Sequence, residues 1–271
     1  MYKRQTSIFS HTTVTTKALT SFASNAKKGS LRASIASHLQ SHSHPPTTDS
    51  KLSLPNKQKL DAFKNPYYDF WAWSCQALHW AGPTAETVNI RQSHHVLPIF
   101  YHHFGCIVPT YDAVHLLTQL ASSSGPKGAK KEILEIGSGN GYWAYLLRRH
   151  GLTVTAVDNG LSAWRTMWIG DTISADGIQY LQKRQGAKDA ILLLVYPQVS
   201  AEFTSRVIKA FEGDTIVVAG TQNGNGYTGF KDVVVDEWMK KERAGFEKVA
   251  QIPLPSFAAK DEALFVFRKK M

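Results

Sequence analysis

The most constraining stretch of the chain is residues 132–159, EILEIGSGNGYWAYLLRRHGLTVTAVDN. An apolar run ends in glycines at every second position, Gly137, Gly139 and Gly141. A helix-forming segment follows, and a second apolar run closes on Asp158. This is the pattern of a strand–turn–helix–strand unit whose turn brings backbone close to a ligand, which side chains at the glycine positions would obstruct. In the dinucleotide fingerprint the third glycine stands one residue later, where it permits close packing of helix on strand. Here that place is Tyr142. A bulky aromatic there disfavours pyrophosphate geometry, and with it a nicotinamide-dependent oxidoreductase.

Downstream the pattern keeps alternating, as a parallel sheet with crossover helices requires. Strands are predicted at 132–136, 153–158, 171–176, 190–196, 214–219, about 247–252 and 263–268, and helices at 141–150, 177–185, 200–211 and 232–243. ILLLVY, within the fourth strand, is apolar on both faces, as a central covered strand must be. The expected fold is α/β, a doubly wound, mostly parallel seven-stranded sheet with flanking helices. Upstream, VPTYDAVHLLTQLASSSG places Val114, Leu116, Leu117 and Leu120 on one helical face and stops at Gly125–Pro126. The aromatic-rich stretch before it, with Tyr67, Tyr68, Phe70, Trp71, Trp73 and Trp80, reads as one or two helices covering an edge of the sheet.

The spacing Glu-x-Gly-x-Gly-x-Gly, from Glu135 to Gly141, resembles the first motif of the class I S-adenosylmethionine-dependent methyltransferases, which are Rossmann-like. The resemblance spans about residues 109–270 and implies a final antiparallel strand at ALFVFRK. It also implies S-adenosyl-L-methionine as cofactor, held by Glu135, Gly137, Ser138, Gly139, Gly141, Tyr142, Asp158, Asn159, Asp176, Gly177 and Tyr196. In that frame Glu135 holds the ammonium of the methionine part and Asp158 the ribose hydroxyls, while Asp176–Gly177 matches the adenine-contacting position. Each acid also has a plainer reading, Asp158 and Asp176 as helix caps and Glu135 as a structural acid facing a lysine. Three acids at three successive strand ends beside three glycines favour the ligand. The fourth strand ends in VYPQ rather than the Asp/Asn-Pro-Pro-aromatic tetrad frequent in enzymes that methylate amino groups of nucleic-acid bases, which argues against DNA adenine as acceptor.

Residues at the fourth and fifth strand ends, Gln198, Gln222, Asn223 and Tyr227, are the substrate candidates, because strand ends of such a sheet open on the cleft. No residue declares itself as a catalytic base. His94, His95, His102 and His103 read as structural histidines, and with Cys75 and His79 they lack the spacing of a metal site, so no metal is expected. Trp143, Trp164 and Trp168 either pack in the core or face the sulfonium.

Net charge is +10, but Lys3, Arg4, Lys17, Lys27, Lys28 and Arg32 supply six of those charges before the first acid, Asp49. The remainder is only modestly basic, so a small-molecule acceptor is the expectation, with protein and RNA left open. Residues 1–50 read as a disordered basic leader, either a mitochondrial transit peptide or an uncleaved tail. A transit peptide would make the protein mitochondrial and a plain tail would leave it cytoplasmic; beyond the leader the expectation is a helical cover at 56–125 and a methyltransferase domain at 126–271. No apolar run reaches the ~18 residues a membrane span needs. A protein that keeps the fold without catalysis, as a binding or assembly factor, is the alternative function.

Overall fold

A computed structural model describes residues 1–56, 63–123, 130–161, 165–197, 202–224, 229–230 and 233–270. Seven strands among them, β1 (Glu132–Ile136), β2 (Val154–Asp158), β3 (Ile173–Ser174), β4 (Ala190–Val195), β5 (Thr215–Thr221), β6 (Phe246–Pro253) and β7 (Glu262–Lys269), form one sheet in the order β3-β2-β1-β4-β5-β7-β6. The pairs through β5 are parallel, and β7 enters antiparallel between β5 and β6. This is the sheet that the sequence predicts, with the third strand cut to two residues.

Alternation along the strands sends apolar side chains to both faces. Ile133, Leu193 and Val217 pack under α6 (Tyr111–Ser123) and α7 (Tyr142–Arg149), through Leu117 and Leu147. Leu134, Leu192 and Val218 face the other way, toward α8 (Gly177–Lys183), α9 (Phe203–Ala210) and α10 (Val235–Glu242). Strand order reverses between β1 and β4. The carboxyl ends of β1 to β4 therefore splay apart there, and an open α/β sheet places its ligand in that crevice.

Residues 1–50 correct the expectation of a disordered leader. They form α1 (Tyr2–Thr6), which packs on α4 (Pro66–Ala77), and α2 (Thr15–Ser24) and α3 (Leu31–Ser41), which pair with each other and share one buried cluster with α4 and α5 (Leu97–Phe104) of the cover. Ile8, Phe9, Phe22, Ile35 and Leu39 are buried in one cluster with Tyr67, Trp71 and Cys75. Polar contacts fasten the same layer. Gln5 Nε2 donates to Gly82 O at 2.6 Å, Tyr68 Oη to Thr6 O at 3.0 Å, and His38 Nε2 meets Asp261 Oδ2 at 2.8 Å.

Tyr142, the residue that breaks the dinucleotide pattern, explains how that layer sits on the sheet domain. It is 1% exposed, its hydroxyl donates to Asn65 Oδ1 at 2.6 Å, and it accepts the backbone N–H of Tyr67 at 3.3 Å. Asn65 in turn caps α4 and donates to Pro109 O. The aromatic at the start of α7 is thus the strut that docks the cover.

Candidate functional site

At the switch point lies a cleft of ≈ 350 Å³. Gly137 and Gly139 form its floor after β1, Asp158 and Asn159 its wall after β2, Asp176 and Gly177 its far end after β3, and Tyr196 its near end after β4. A volume of this order suits a nucleoside-sized ligand. Both floor glycines adopt positive φ, 75° and 56°. A Cβ on Gly139 would meet the Arg165 guanidinium at 3.4 Å, and one on Gly137 would reach the Phe203 ring at 3.7 Å. The turn therefore lies bare, with a cation above one glycine and an aromatic ring above the other.

Asp158 is half-buried and already organised. Its Oδ2 accepts the Gly139 N–H at 2.9 Å and its Oδ1 the Gly160 N–H at 2.8 Å. A carboxylate offers about four lone-pair sites, so two remain for donors in the cleft. Asp176 is the N-cap of α8, its Oδ1 accepting from the amides of Ile178 and Gln179 at 3.0 and 2.9 Å, so the plainer reading holds for that oxygen. It lines the cleft as well. Gly177 packs so closely on β1 that a Cβ would stand 2.4 Å from Ile136 Cγ2.

Four of the expected cofactor residues lie elsewhere. Gly141 begins α7, where a Cβ would overlap Ile169 at 2.4 Å, Tyr142 docks the cover, and Ser138 is 7% exposed beneath the turn. Glu135 is 1% exposed under α7, and its Oε2 has no partner among the described residues. Burial pushes its pKa up to about 8 against the pull of the Ala144 amide and Arg148. With no cation bound the side chain is largely a neutral acid at neutral pH, and it is not among the residues around the cleft. Protonation in the folded state stabilises the fold at low pH, and that contribution fades as pH rises from the unfolded value near 4.3 through about 8. Glu135→Gln, neutral at every pH, should gain on the parent across that window. Its melting-temperature advantage over the parent should be larger at pH 8.5 than at pH 5 by at least about 2–4 °C, the response to roughly 1 kcal/mol in a domain of this size. A parent and variant that keep the same difference at both pH values would show that the carboxyl ionises freely.

The substrate candidates divide. Gln198 and Tyr227 lie outside the described residues, as does Trp164. Gln222 is a correction: it is 6% exposed and built into a buried network, donating from Nε2 to Asp261 Oδ1 at 2.7 Å and accepting from Gln251 Nε2 at 3.0 Å. Asn223 follows it and is not among the residues around the cleft. Trp143 is core, its indole donating to Ile107 O, and Trp168 stacks on Phe104 of the cover at 5.7 Å.

Sequence reasoning missed Arg165, Cys106, Leu161 and Phe203, all of which line the cleft. Nothing periodic marks them, since they come from loops and helix starts that the fold alone brings together. Cys106 is an inert thiol there, because burial pushes it up to about 12 despite Arg165.

No protein-family model matches the chain, and no curated protein matches it. Among solved structures, it is similar to a magnesium protoporphyrin IX methyltransferase from Synechocystis with bound SAM, at 12% identity over 52% of this chain and 70% of that one, with a TM-score of 0.37. The N-methyltransferase NodS from Bradyrhizobium japonicum aligns at 18% identity over 57% and 93% of the two chains, with a TM-score of 0.36. An rRNA methylase from Streptococcus thermophilus aligns at 20% over 52% and 89%, with a TM-score of 0.35. At these scores the likenesses add nothing to what strand order and side chains already say.

Proposed function

We propose that the chain is an S-adenosylmethionine-dependent methyltransferase acting on a small molecule. The observation that carries this is Asp158, held at the end of β2 by the amide of the glycine turn and lining the cleft. The residues present fit the cofactor. Asp158 would take the ribose hydroxyls, and the turn at Gly137 and Gly139 would face the methionine part. Arg165, above that turn, would pair with its carboxylate, the partner a guanidinium suits best. Val157, Ala175 and Gly177 offer an apolar slot for a flat base, closed by Asp176.

When bound, S-adenosylmethionine supplies an electrophilic methyl on a sulfonium. What the chain adds is position, a contribution worth up to roughly 7–11 kcal/mol when reactants are held in line. Isothermal titration with S-adenosylmethionine and with S-adenosylhomocysteine tests the cofactor directly. Binding of both is expected, and a folded sample that binds neither overturns the reading. Transfer of label from the cofactor to a cell extract separates an enzyme from a protein that keeps the fold only to bind.

A further inference from the structure

Behind the near end of the cleft lies a buried cluster that cofactor binding does not use. Tyr196 follows β4 with φ 51°, a left-handed conformation that costs a bulky residue of order 1–3 kcal/mol and persists only where surroundings enforce it. Its backbone N–H donates to Ala219 O at 2.8 Å, fixing the twist. The residue lines the cleft. Lys260 Nζ lies 3.2 Å from its hydroxyl, and the Tyr101 ring stands 5.7 Å away, edge-on.

Lys260 is 3% exposed and Glu262, two residues on at the start of β7, 1%. Neither Glu262 oxygen, nor the Tyr101 hydroxyl, has a partner among the described residues. A buried carboxyl without hydrogen bonds costs free energy that a purely structural site would remove. Burial lowers Lys260 while Glu262 raises it, and burial pushes Glu262 up to about 8 against Lys260. The other titratable groups facing the cluster are Asp261, Cys106 with Arg165 beside it, and Tyr67.

We infer that Tyr196 is a catalytic residue that takes the proton of a neutral hydroxyl acceptor and relays it to Lys260, with Glu262 setting the charge of that lysine. The inference rests on the methyltransferase reading and names its acceptor class. An ammonium at Lys260 donates to the phenol oxygen, and a neutral amine accepts from it at the same separation. Transfer forms an O–C bond and breaks the S–C bond of the sulfonium, whose electron pair stays on sulfur. The hydroxyl proton goes to Tyr196 Oη as that phenol's own proton passes to Lys260 Nζ, so the positive charge ends on the lysine. A hydroxyl needs such a station because it stays protonated near neutrality and sheds that proton as the methyl arrives, whereas an amine that is already neutral attacks through its free lone pair. The walls beside Tyr196, namely Val195, Pro197 and Phe203, are uncharged and suit a neutral acceptor.

The test uses two defined ligands and three variants. Isothermal titration in buffers of different ionisation enthalpy counts protons released on binding. The sulfonium of S-adenosylmethionine should release a fraction of a proton more than S-adenosylhomocysteine, because a cation in the cleft opposes a proton on Lys260. That difference should vanish in Lys260→Met/Glu262→Gln, which removes both charges and leaves no lone buried ion. It should vanish as well in Lys260→Arg, whose guanidinium keeps its proton, and persist in Tyr196→Phe. Labelled methyl transfer to a cell extract should fall by roughly 10²–10⁴-fold in Tyr196→Phe, the range of a lost acid–base group, while affinity for both ligands stays within about threefold. Equal proton counts in the parent, or transfer by Tyr196→Phe at the parent rate, overturn the relay. Failure of both ligands to bind, or binding without transfer by the parent, overturns the enzyme reading and the relay with it.

Discussion

Deleting residues 1–41 should leave a chain that aggregates or melts at least about 10 °C below the parent. The deletion removes Ile8, Phe9, Phe22, Ile35 and Leu39 from a cluster in which Tyr67, Trp71 and Cys75 are wholly buried. The lost side chains take their own ordering entropy with them, so the cost to the remainder is the surface newly opened to water. If about 100 Å² of each of Tyr67 and Trp71 is uncovered, at roughly 25 cal/mol per Å², the loss is about 5 kcal/mol before Phe100 and Trp80 are counted. That equals the lower end of the total stability of a domain. At about 2–4 °C per kcal/mol the fall is 10–20 °C. The deletion also frees Asp261 of His38, and with it the network through Gln222 at the end of β5. Differential scanning calorimetry and light scattering on both chains decide the matter. A truncated protein that stays monodisperse with the parent's melting temperature would mean the three helices are a detachable leader after all.

The same segment shows where the sequence stops being legible. Residues 1–48 match a disordered leader by composition, in Ser, Thr and Lys without acids, and composition says nothing about partners. The signal that was present is spacing. Leu19 and Phe22 are three apart, Ile35 and Leu39 four apart, and each pair falls on one face of a short helix. Such pairs carry little weight until the rest of their cluster is known, and that cluster includes Trp71 and Tyr67, far along the chain on α4. The sheet was readable for the opposite reason. Its information is local, in the apolar run before Gly137, the alternation around the strands and the acid closing β2, so strand limits fell within one or two residues except at β3.

Gln222 and the Lys260–Glu262 pair fail for one shared cause. A polar residue just after a strand of a parallel sheet is expected to face the crevice, but Gln222 instead turns to Asp261, thirty-nine positions on. The acids and lysine of the stretch KDEA carry no signal in the sequence, and β7 runs between β5 and β6. Insertion of β7 between them buries the start of that strand, and no period in the sequence announces it. Glu135 is the reverse case. Its position in the motif is plain, but whether it carries charge depends on how tightly α7 closes over it.

Asp158→Ala should weaken affinity for S-adenosylmethionine by about thirty- to a thousandfold. Two hydrogen bonds from ribose to a carboxylate contribute roughly 1.5–3 kcal/mol each before desolvation is subtracted, leaving on the order of 2–4 kcal/mol for the pair. The structure adds a second consequence. The same carboxylate holds the amides of Gly139 and Gly160, so alanine also frees the glycine turn from the loop after β2 and costs stability of ~1 kcal/mol, about 2–4 °C. Asp158→Asn separates the two effects. Its amide keeps one acceptor oxygen but sets an NH₂ against the N–H of Gly139 or of Gly160, so one anchoring bond is lost and the charge is gone. Melting temperature should therefore fall partway in Asn and further in Ala, and affinity should follow the same order with a far larger span. If Asp158 only anchors the turn, both variants lose melting temperature while the folded fraction of each binds S-adenosylmethionine as the parent does. Calorimetric melting and isothermal titration on the three proteins distinguish these patterns, and unchanged affinity beside lowered stability would move the ribose away from β2.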